Sequence, residues 1–224
     1  MKTAMINVRH AEQRGSANMG WLGSQHTFSF GHFVDPDYIS YGPLRVINED
    51  RVQPGEGFPT HGHENMEIIS YVLEGALEHK DSIGTEAQIK PGEFQRMSAD
   101  TGIRHSEYNP LSDEVAHFLQ IWIIQDTQDI EPGYEQKMFE RADRQGVLKL
   151  VGAKDARDGA LKIHQNVDLY STILSDGDEV SLPLRDGRRA WAGFGADKRI
   201  AAESGRWCHR YRLRRGQPER NIGG

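Results

Sequence analysis

The stretch that best predicts the fold class is Phe58-Pro-Thr-His-Gly-His-Glu-Asn-Met-Glu-Ile-Ile-Ser-Tyr-Val-Leu-Glu-Gly-Ala-Leu-Glu-His-Lys80. Two runs rich in β-branched and apolar residues flank a Glu-Gly turn, which is the pattern of paired β-strands. The stretch also carries His61 and His63, whose i, i+2 spacing places both imidazoles on one face of a strand. A second pair with the same spacing, His105 and Glu107, follows later. Two such strands facing each other would bring three imidazoles and one carboxylate to one point.

Short strand-like segments continue on both sides of this stretch. Turn pairs such as Pro54-Gly55 and Pro91-Gly92 separate them, and no long amphipathic helix interrupts the first 125 residues. Strands spaced this closely favour a sandwich or barrel over a βαβ protein. The polar segment Asp126–Gly133 is typical of a linker, and another strand-rich stretch follows it. The sequence therefore predicts an all-β protein made of two antiparallel β-barrels in tandem.

Three regions follow from this pattern. Residues 1–130 are predicted to form a metal-binding barrel, and residues 131–191 a second β-domain without paired histidines. Residues 192–224 form an atypical tail, in which the strand pattern gives way and arginines crowd together. This tail has three interpretations: a basic arm for nucleic acid or an acidic partner, a partly disordered terminus, or a reading-frame shift. An incomplete second barrel is one consequence of the tail.

Composition restricts the function classes. The net charge is −6 with 27% charged residues, which argues against direct nucleic-acid binding. The single cysteine, Cys208, excludes an internal disulfide framework and fits a reducing compartment. We expect no signal peptide at the N-terminus and no membrane helix, because no apolar run approaches the length that a span requires. The expectation is a cytoplasmic protein.

The two ligand pairs indicate a mononuclear metal centre. Three neutral imidazoles and a carboxylate suit Fe(II), Mn(II), Ni(II), Co(II), Cu(II) or Zn(II), and the ligand types alone do not select among them. Counting in twos from His63 places Glu67 on the same face, so Glu67 is expected to be a ligand, a supporting group or a base. The other strand histidines, His79 and His117, are expected to be polar packing residues, and His164 has no paired partner.

Several motifs of the chain resemble the pirin family of the cupin superfamily. The resemblance covers roughly residues 1–191, and the four candidate ligands are its most specific part. The segments that carry it are His61-Gly-His63, Tyr71-Val-Leu-Glu-Gly-Ala-Leu-Glu-His79, Ile89-Lys-Pro-Gly92, His105-Ser-Glu107, Phe28-Ser-Phe-Gly-His-Phe33 and Leu161-Lys-Ile-His-Gln-Asn166.

The resemblance implies a bicupin whose N-terminal barrel binds one metal ion, commonly iron, through the positions of His61, His63, His105 and Glu107. Glu67 matches a position that pirins do not usually use as a ligand. Bacterial pirins resemble quercetin 2,3-dioxygenases, so the resemblance implies opening of a flavonol's central ring with O2 and release of carbon monoxide. In that reaction Glu107 and Glu67 are the candidate bases for the substrate's 3-hydroxyl.

Two other functions fit the same ligands. One is a non-enzymatic metal or redox sensor that binds a protein partner, as related nuclear pirins imply. The other is a structural metal barrel that binds a different small molecule. The expected partners of the enzyme are a flavonol-like substrate and O2, with no nucleic acid and no membrane.

Overall fold

The computed structural model describes residues 8–193 and, for the backbone alone, two strands at residues 200–204 and 210–215. These residues are nearly all β, which confirms the predicted fold class. They contain one α-helical turn, α1 (Arg141–Arg144), and two 3-10 turns, Ala11–Gln13 and Arg157–Gly159. No helix in this part of the chain is long and apolar enough to cross a membrane.

Seventeen strands make up the described β-structure. They are β1 (Gly15–Asn18), β2 (Leu22–His26), β3 (Leu44–Val52), β4 (Gly57–His63), β5 (Met66–Glu74), β6 (Leu77–Asp81), β7 (Glu86–Ile89), β8 (Glu93–Ser98), β9 (Ile103–Tyr108), β10 (Ala116–Ile124), β11 (Gly133–Met138), β12 (Lys149–Ala153), β13 (Leu161–Lys162), β14 (Asp168–Ser171), β15 (Glu179–Pro183), β16 (Ile200–Ser204) and β17 (Arg210–Arg215).

Two antiparallel sheets form the N-terminal barrel. A seven-stranded sheet has the order β1-β2-β3-β10-β5-β8-β11, and a four-stranded sheet has the order β4-β9-β6-β7. Apolar side chains from both sheets pack together in a fully buried cluster that includes Val72 and Phe118 from the large sheet and Leu77 and Ile89 from the small one. Removal of this apolar surface from water holds the two sheets face to face.

The seven-stranded sheet is buried on its other face as well. Ile69 and Ile121 point to this second face and pack with Val151, Leu161 and Ile163 from the later part of the chain. A strand that is buried on both faces needs apolar residues at consecutive positions. This requirement explains why β5 carries apolar side chains at consecutive positions, such as Ile68 with Ile69 and Val72 with Leu73, rather than only at alternate ones.

The chain divides into two compact units. One comprises Arg9–Glu140 with Leu150–Leu169, and the other comprises Met1–Val8, Arg141–Lys149 and Tyr170–Gly224. The first unit holds every residue of the candidate site described below. The domain boundaries at residues 130 and 191 stay a prediction.

The atypical tail contains two described strands. β17 pairs antiparallel with β15 on one side and with β16 on the other. The sequence predicts that the strand pattern ends after Trp191. Residues 210–214, however, alternate arginine with Tyr211 and Leu213. Such period-two alternation is the pattern of a strand with one apolar face. The rest of the tail, including Cys208, lies outside the described residues, and so do the interpretations that concern it.

Candidate metal centre

Adjacent strands of the four-stranded sheet bring the two predicted ligand pairs together. β9 lies between β4 and β6, and His105 on β9 pairs directly with His61 on β4. On its other side, β9 pairs Glu107 with His79 of β6. Because residues two apart share a face of a strand, His63 lies on the same face as His61. The i, i+2 argument therefore places the three histidines correctly.

The three histidines form a compact group. Ligand nitrogens of His61, His63 and His105 all lie within 4.8 Å of one another. The Nε2 atoms of His61 and His105 are 3.0 Å apart. Two nitrogens bound at about 2.1 Å and at right angles around one metal ion would be about 3.0 Å apart. The spacing of the donors therefore fits a first-row transition metal.

Burial keeps the imidazoles of His63 and His105 neutral. It lowers the pKa of His63 to about 4, and the charges of His105 and His61 lower it further. Burial likewise lowers the pKa of His105 to about 3, with the charges of His61 and His79 as additional causes. A neutral imidazole has a free lone pair, which a protonated one lacks. Both side chains can therefore bind a cation at neutral pH without first losing a proton.

A close backbone approach fixes the distance between β4 and β9. A Cβ atom on Gly57 would lie 2.3 Å from the backbone oxygen of Glu107 and 2.5 Å from Cα of Tyr108. Any larger residue would have to push the two strands apart. Gly57 therefore allows this close pairing of β4 with β9, the two strands that carry His61 and His105.

Glu107 is buried and held by neutral donors. Its Oε1 accepts a hydrogen bond from Ser70 Oγ at 3.1 Å, and its Oε2 accepts a short one from Gln120 Nε2. Within the described residues, no lysine, arginine or histidine forms an ion pair with this carboxylate. Glu107 lies in a potential metal-binding group with His105 and His79, and not in the group of three histidines.

Glu67 lies on the opposite face of the seven-stranded sheet. Its carboxylate accepts hydrogen bonds from Ser98 Oγ at 3.1 Å, from His164 Nδ1 at 2.9 Å and from Gln125 Nε2. Arg96 Nε is 3.8 Å from the same carboxylate. The expectation that Glu67 shares a cavity with the histidines therefore differs from the structure.

A corner in the backbone explains this difference. Asn65 adopts a φ of 54°, which is the left-handed region, and it separates β4 of the small sheet from β5 of the large one. Counting in twos holds only along one continuous strand. The count from His63 to Glu67 crosses this corner, so the two residues do not share a face.

His79, which its sequence pattern assigns only to packing, contacts the site. His79 is fully buried, and its Nδ1 lies 3.4 Å from Nδ1 of His105. Its Nε2 lies 3.0 Å from Oδ2 of Asp81. Burial raises the pKa of Asp81, but hydrogen bonds from His79 and Thr85 outweigh it, so the net shift is downward. The signal that could have found this pair is its spacing, which is the same i, i+2 as in the two ligand pairs.

An aromatic wall stands beside His63. The indole of Trp122 meets the His63 ring edge to face at a centroid distance of 5.0 Å, and Phe30 packs against Trp122 at 5.4 Å. Trp122 Nε1 donates a hydrogen bond to Oε1 of Gln120 at 2.9 Å, which connects the wall to the support of Glu107. Trp122 was not a sequence candidate, because one strand tryptophan carries no distinguishing pattern.

Two packed antiparallel sheets that enclose a histidine cluster are typical of the cupin class of proteins. Comparison with known families agrees. Residues 7–123 match the Pirin family, and residues 150–194 match the quercetinase C-terminal cupin domain. The chain belongs to the pirin family.

Individual relatives are similar over most of the chain. Quercetin 2,3-dioxygenase of Escherichia coli K12 is 49% identical over 187 residues, which cover 84% of this chain and 80% of that protein. The crystal structure of YhhW from Escherichia coli has a TM-score of 0.77 at 49% identity, covering 81% of this chain and 76% of that one. A structure of bacterial pirin YhhW in complex with nickel(II) has the same TM-score at 50% identity, covering 81% and 77%.

Proposed function

We propose that His61, His63, His105 and Glu107 bind one divalent transition metal, iron(II) in the native protein, and that the metal-loaded protein is a flavonol 2,3-dioxygenase. One observation carries the proposal: three histidines with converging nitrogens stand beside a buried carboxylate that has no cationic partner among the described residues. A buried unpaired charge is costly, and a bound cation would compensate it. The named relative supports the reaction class.

The donor set narrows the metal but does not select one ion. Imidazole and carboxylate donors suit Fe(II), Mn(II), Co(II), Ni(II), Cu(II) and Zn(II), and the relative with nickel(II) shows that one pirin accepts a member of this group. When bound, such an ion supplies a Lewis acid for an enolic oxygen of the substrate and a site for O2 chemistry. Iron(II) is proposed because the pirin family commonly uses it.

The residues around the ligands would orient the substrate and its proton. Trp122 and Phe30 supply apolar aromatic surface beside His63, which would suit an aromatic substrate. Glu107 is the buried carboxylate next to the histidines, so we assign it to accept the proton of the substrate's 3-hydroxyl at Oε1. Ser70 and Gln120 hold this carboxylate in place. Glu67 is engaged on the opposite face of the sheet and takes no part in this assignment.

The proposal is tested by turnover with a quantified metal content. Metal-free protein is reloaded anaerobically with iron(II) or nickel(II), mixed with quercetin, and assayed for O2 consumption and carbon monoxide. We expect stoichiometric release of carbon monoxide by the loaded protein and none by the metal-free protein or the His61→Ala variant. The exposed His32→Ala variant is the matched control.

Two results separate the alternatives. Full activity of metal-depleted His61→Ala protein would contradict the metal-dependent mechanism. A loaded protein that binds one metal ion but turns over no flavonol would contradict the enzymatic part and favour the metal or redox sensor. Capture of a protein partner that depends on the oxidation state of iron would then be the next measurement.

The proposed compartment is the cytoplasm. Its support is the single cysteine of the chain, which fits a reducing environment. Fractionation of cells that express the full chain at native level tests this location.

A further inference from the structure

A third side-chain pair stands behind the candidate metal centre and has no role in the proposed function. His79 and Asp81 lie on β6, next to β9, and their side chains are fully buried. Asp81 pairs in register with His105, and His79 pairs with Glu107. Three neighbouring strands therefore each carry an i, i+2 pair of metal-ligating residue types.

The hydrogen bonds of Asp81 determine the tautomer of His79. Oδ1 of Asp81 accepts the backbone N–H of Ile83 at 3.1 Å and that of Thr85 at 2.9 Å. Oδ2 lies 3.0 Å from His79 Nε2. A carboxylate only accepts hydrogen bonds, so Nε2 of His79 carries a proton, and in the neutral ring Nδ1 then presents a lone pair.

The tautomer of His79 in turn determines that of His105. The two Nδ1 atoms are 3.4 Å apart, and the contact needs one donor and one acceptor. Since His79 is the acceptor, His105 donates its Nδ1–H and leaves Nε2 unprotonated. His61 reaches the same state by another route, because its Nδ1 donates to the carbonyl oxygen of Pro59 at 2.8 Å.

The consequence appears where the two rings meet. Nε2 of His61 and Nε2 of His105 are 3.0 Å apart, and each has its proton assigned to Nδ1. Two lone pairs that face each other at this distance repel, unless a cation lies between them. The network of protein hydrogen bonds thus prepares both nitrogens for a metal ion.

We propose that Asp81 and His79 are positioning residues that hold His105 in its Nδ1–H tautomer and so direct the His105 Nε2 lone pair into the metal centre. The inference rests on the proposed function in one respect, namely that His61 and His105 bind the metal. Residues that orient a ligand histidine through its second nitrogen typically change metal affinity by about 10–100-fold.

Nuclear magnetic resonance of the metal-free protein tests the tautomer directly. Long-range ¹H–¹⁵N correlation spectra distinguish the two ring nitrogens, and we expect a protonated Nδ1 and a bare Nε2 for His105 in the wild type. In Asp81→Asn, we expect the new side-chain oxygen to keep accepting the two backbone N–H hydrogen bonds. The side-chain NH2 then donates to Nε2 of His79. Both histidines should then switch, so that His105 carries its proton on Nε2. Glu78→Gln, on the same strand but partly exposed and paired with Lys80, should leave the spectrum unchanged.

Metal affinity gives the second readout. Competition with a chromophoric chelator for nickel(II) should show binding 10–100-fold weaker in Asp81→Asn and unchanged in Glu78→Gln. If Asp81→Asn fails to fold, His79→Gln and His79→Leu replace it: the glutamine oxygen can still accept from His105 Nδ1, whereas leucine cannot. We expect glutamine to retain more affinity than leucine.

The outcomes are distinct. A wild-type His105 protonated at Nε2, or a His79→Leu protein that binds nickel(II) as tightly as wild type, would overturn the relay. Two nickel ions per wild-type chain and one in His79→Leu would reassign His79 as a ligand of a second site with His105 and Glu107. A wild type that binds no metal would refute the proposed function, while the spectra would still decide the tautomer.

Discussion

Glu107 and Glu67 are both buried carboxylates, but the partners on the two faces of the sheet differ. Glu67 has Arg96 at 3.8 Å and hydrogen bonds from Ser98, His164 and Gln125. Glu107 has only the neutral donors Ser70 and Gln120. The charge of Glu67 is thus balanced within the chain, whereas Glu107 has no cationic partner among the described residues. Burial alone does not distinguish these two carboxylates.

The largest expected difference between the two faces is in nickel(II) affinity after a histidine on each face is replaced. His105→Ala removes a ligand, and we expect nickel(II) affinity to fall by more than about 100-fold, beyond the usual effect of an outer residue. His164→Ala removes a partner of Glu67 and should leave metal affinity within about twofold. Metal content after dialysis and chelator competition measure both. Equal loss of metal in the two variants would contradict the proposal that only the face with His105 binds the metal.

Isosteric removal of each carboxylate should change the free energy of unfolding of the metal-free protein to different extents. Glu67→Gln breaks the balance with Arg96 and should lower the free energy of unfolding by about 2–3 kcal/mol. Glu107→Gln removes an unpaired buried charge and should leave that free energy unchanged or slightly higher. Urea unfolding of both variants, without metal, makes the comparison. A larger loss in Glu107→Gln than in Glu67→Gln would contradict the assignment.

Lowering the pH should lower the free energy of unfolding of the metal-free protein, because the histidines of the site take up protons on unfolding. His63 has a folded-state pKa of about 4 against its ordinary value of 6.5. Between these two values the unfolded chain binds more protons than the folded one, so the free energy of unfolding falls as the pH is lowered. From pH 7 to pH 5 the half-buried His63 should account for roughly 1 kcal/mol of this loss, after allowance for solvent screening.

The matched variant for this measurement is His63→Asn, which cannot titrate in that range. Metal-free wild type should lose more stability than His63→Asn between pH 7 and pH 5. Parallel pH profiles for the two proteins would show that burial does not hold His63 neutral.

The smallest effect concerns the corner that separates the faces. Asn65 has a φ of 54°, which asparagine and glycine tolerate better than other residues. Asn65→Gly should be nearly neutral, while Asn65→Ala should cost about 1 kcal/mol in unfolding free energy. A neutral Asn65→Ala would mean that the corner does not depend on this conformation, and the explanation for the position of Glu67 would need revision.

These comparisons show which parts of the molecule the sequence could predict. The all-β class and the convergence of His61, His63 and His105 followed from spacing along single strands, where period-two counting is reliable. The position of Glu67 did not follow, because the count crossed a corner at Asn65 that has no glycine or proline to mark it. His79 was assigned only to packing because a single strand histidine is more often a packing residue than a ligand, although its i, i+2 spacing to Asp81 was visible in the sequence.

The positions of Trp122 and Gln120 could not be predicted from the sequence for a different reason. Their contacts join strands that are far apart in sequence, and only the pairing of β10 with β5 and β3 brings them beside the histidines. No local pattern specifies such a pairing. The register of a sheet is decided by the whole set of its strands.

The spacing of His61 and His105 also bears on which ions the proposed site would accept. The 3.0 Å separation between their Nε2 atoms suits metal–nitrogen bonds of about 2.1 Å. Calcium prefers oxygen donors and longer bonds of about 2.3–2.6 Å, so it fits neither the spacing nor the nitrogen donors. Among transition ions of similar size the spacing would not discriminate, and the supply of these ions in the cell would decide which one binds.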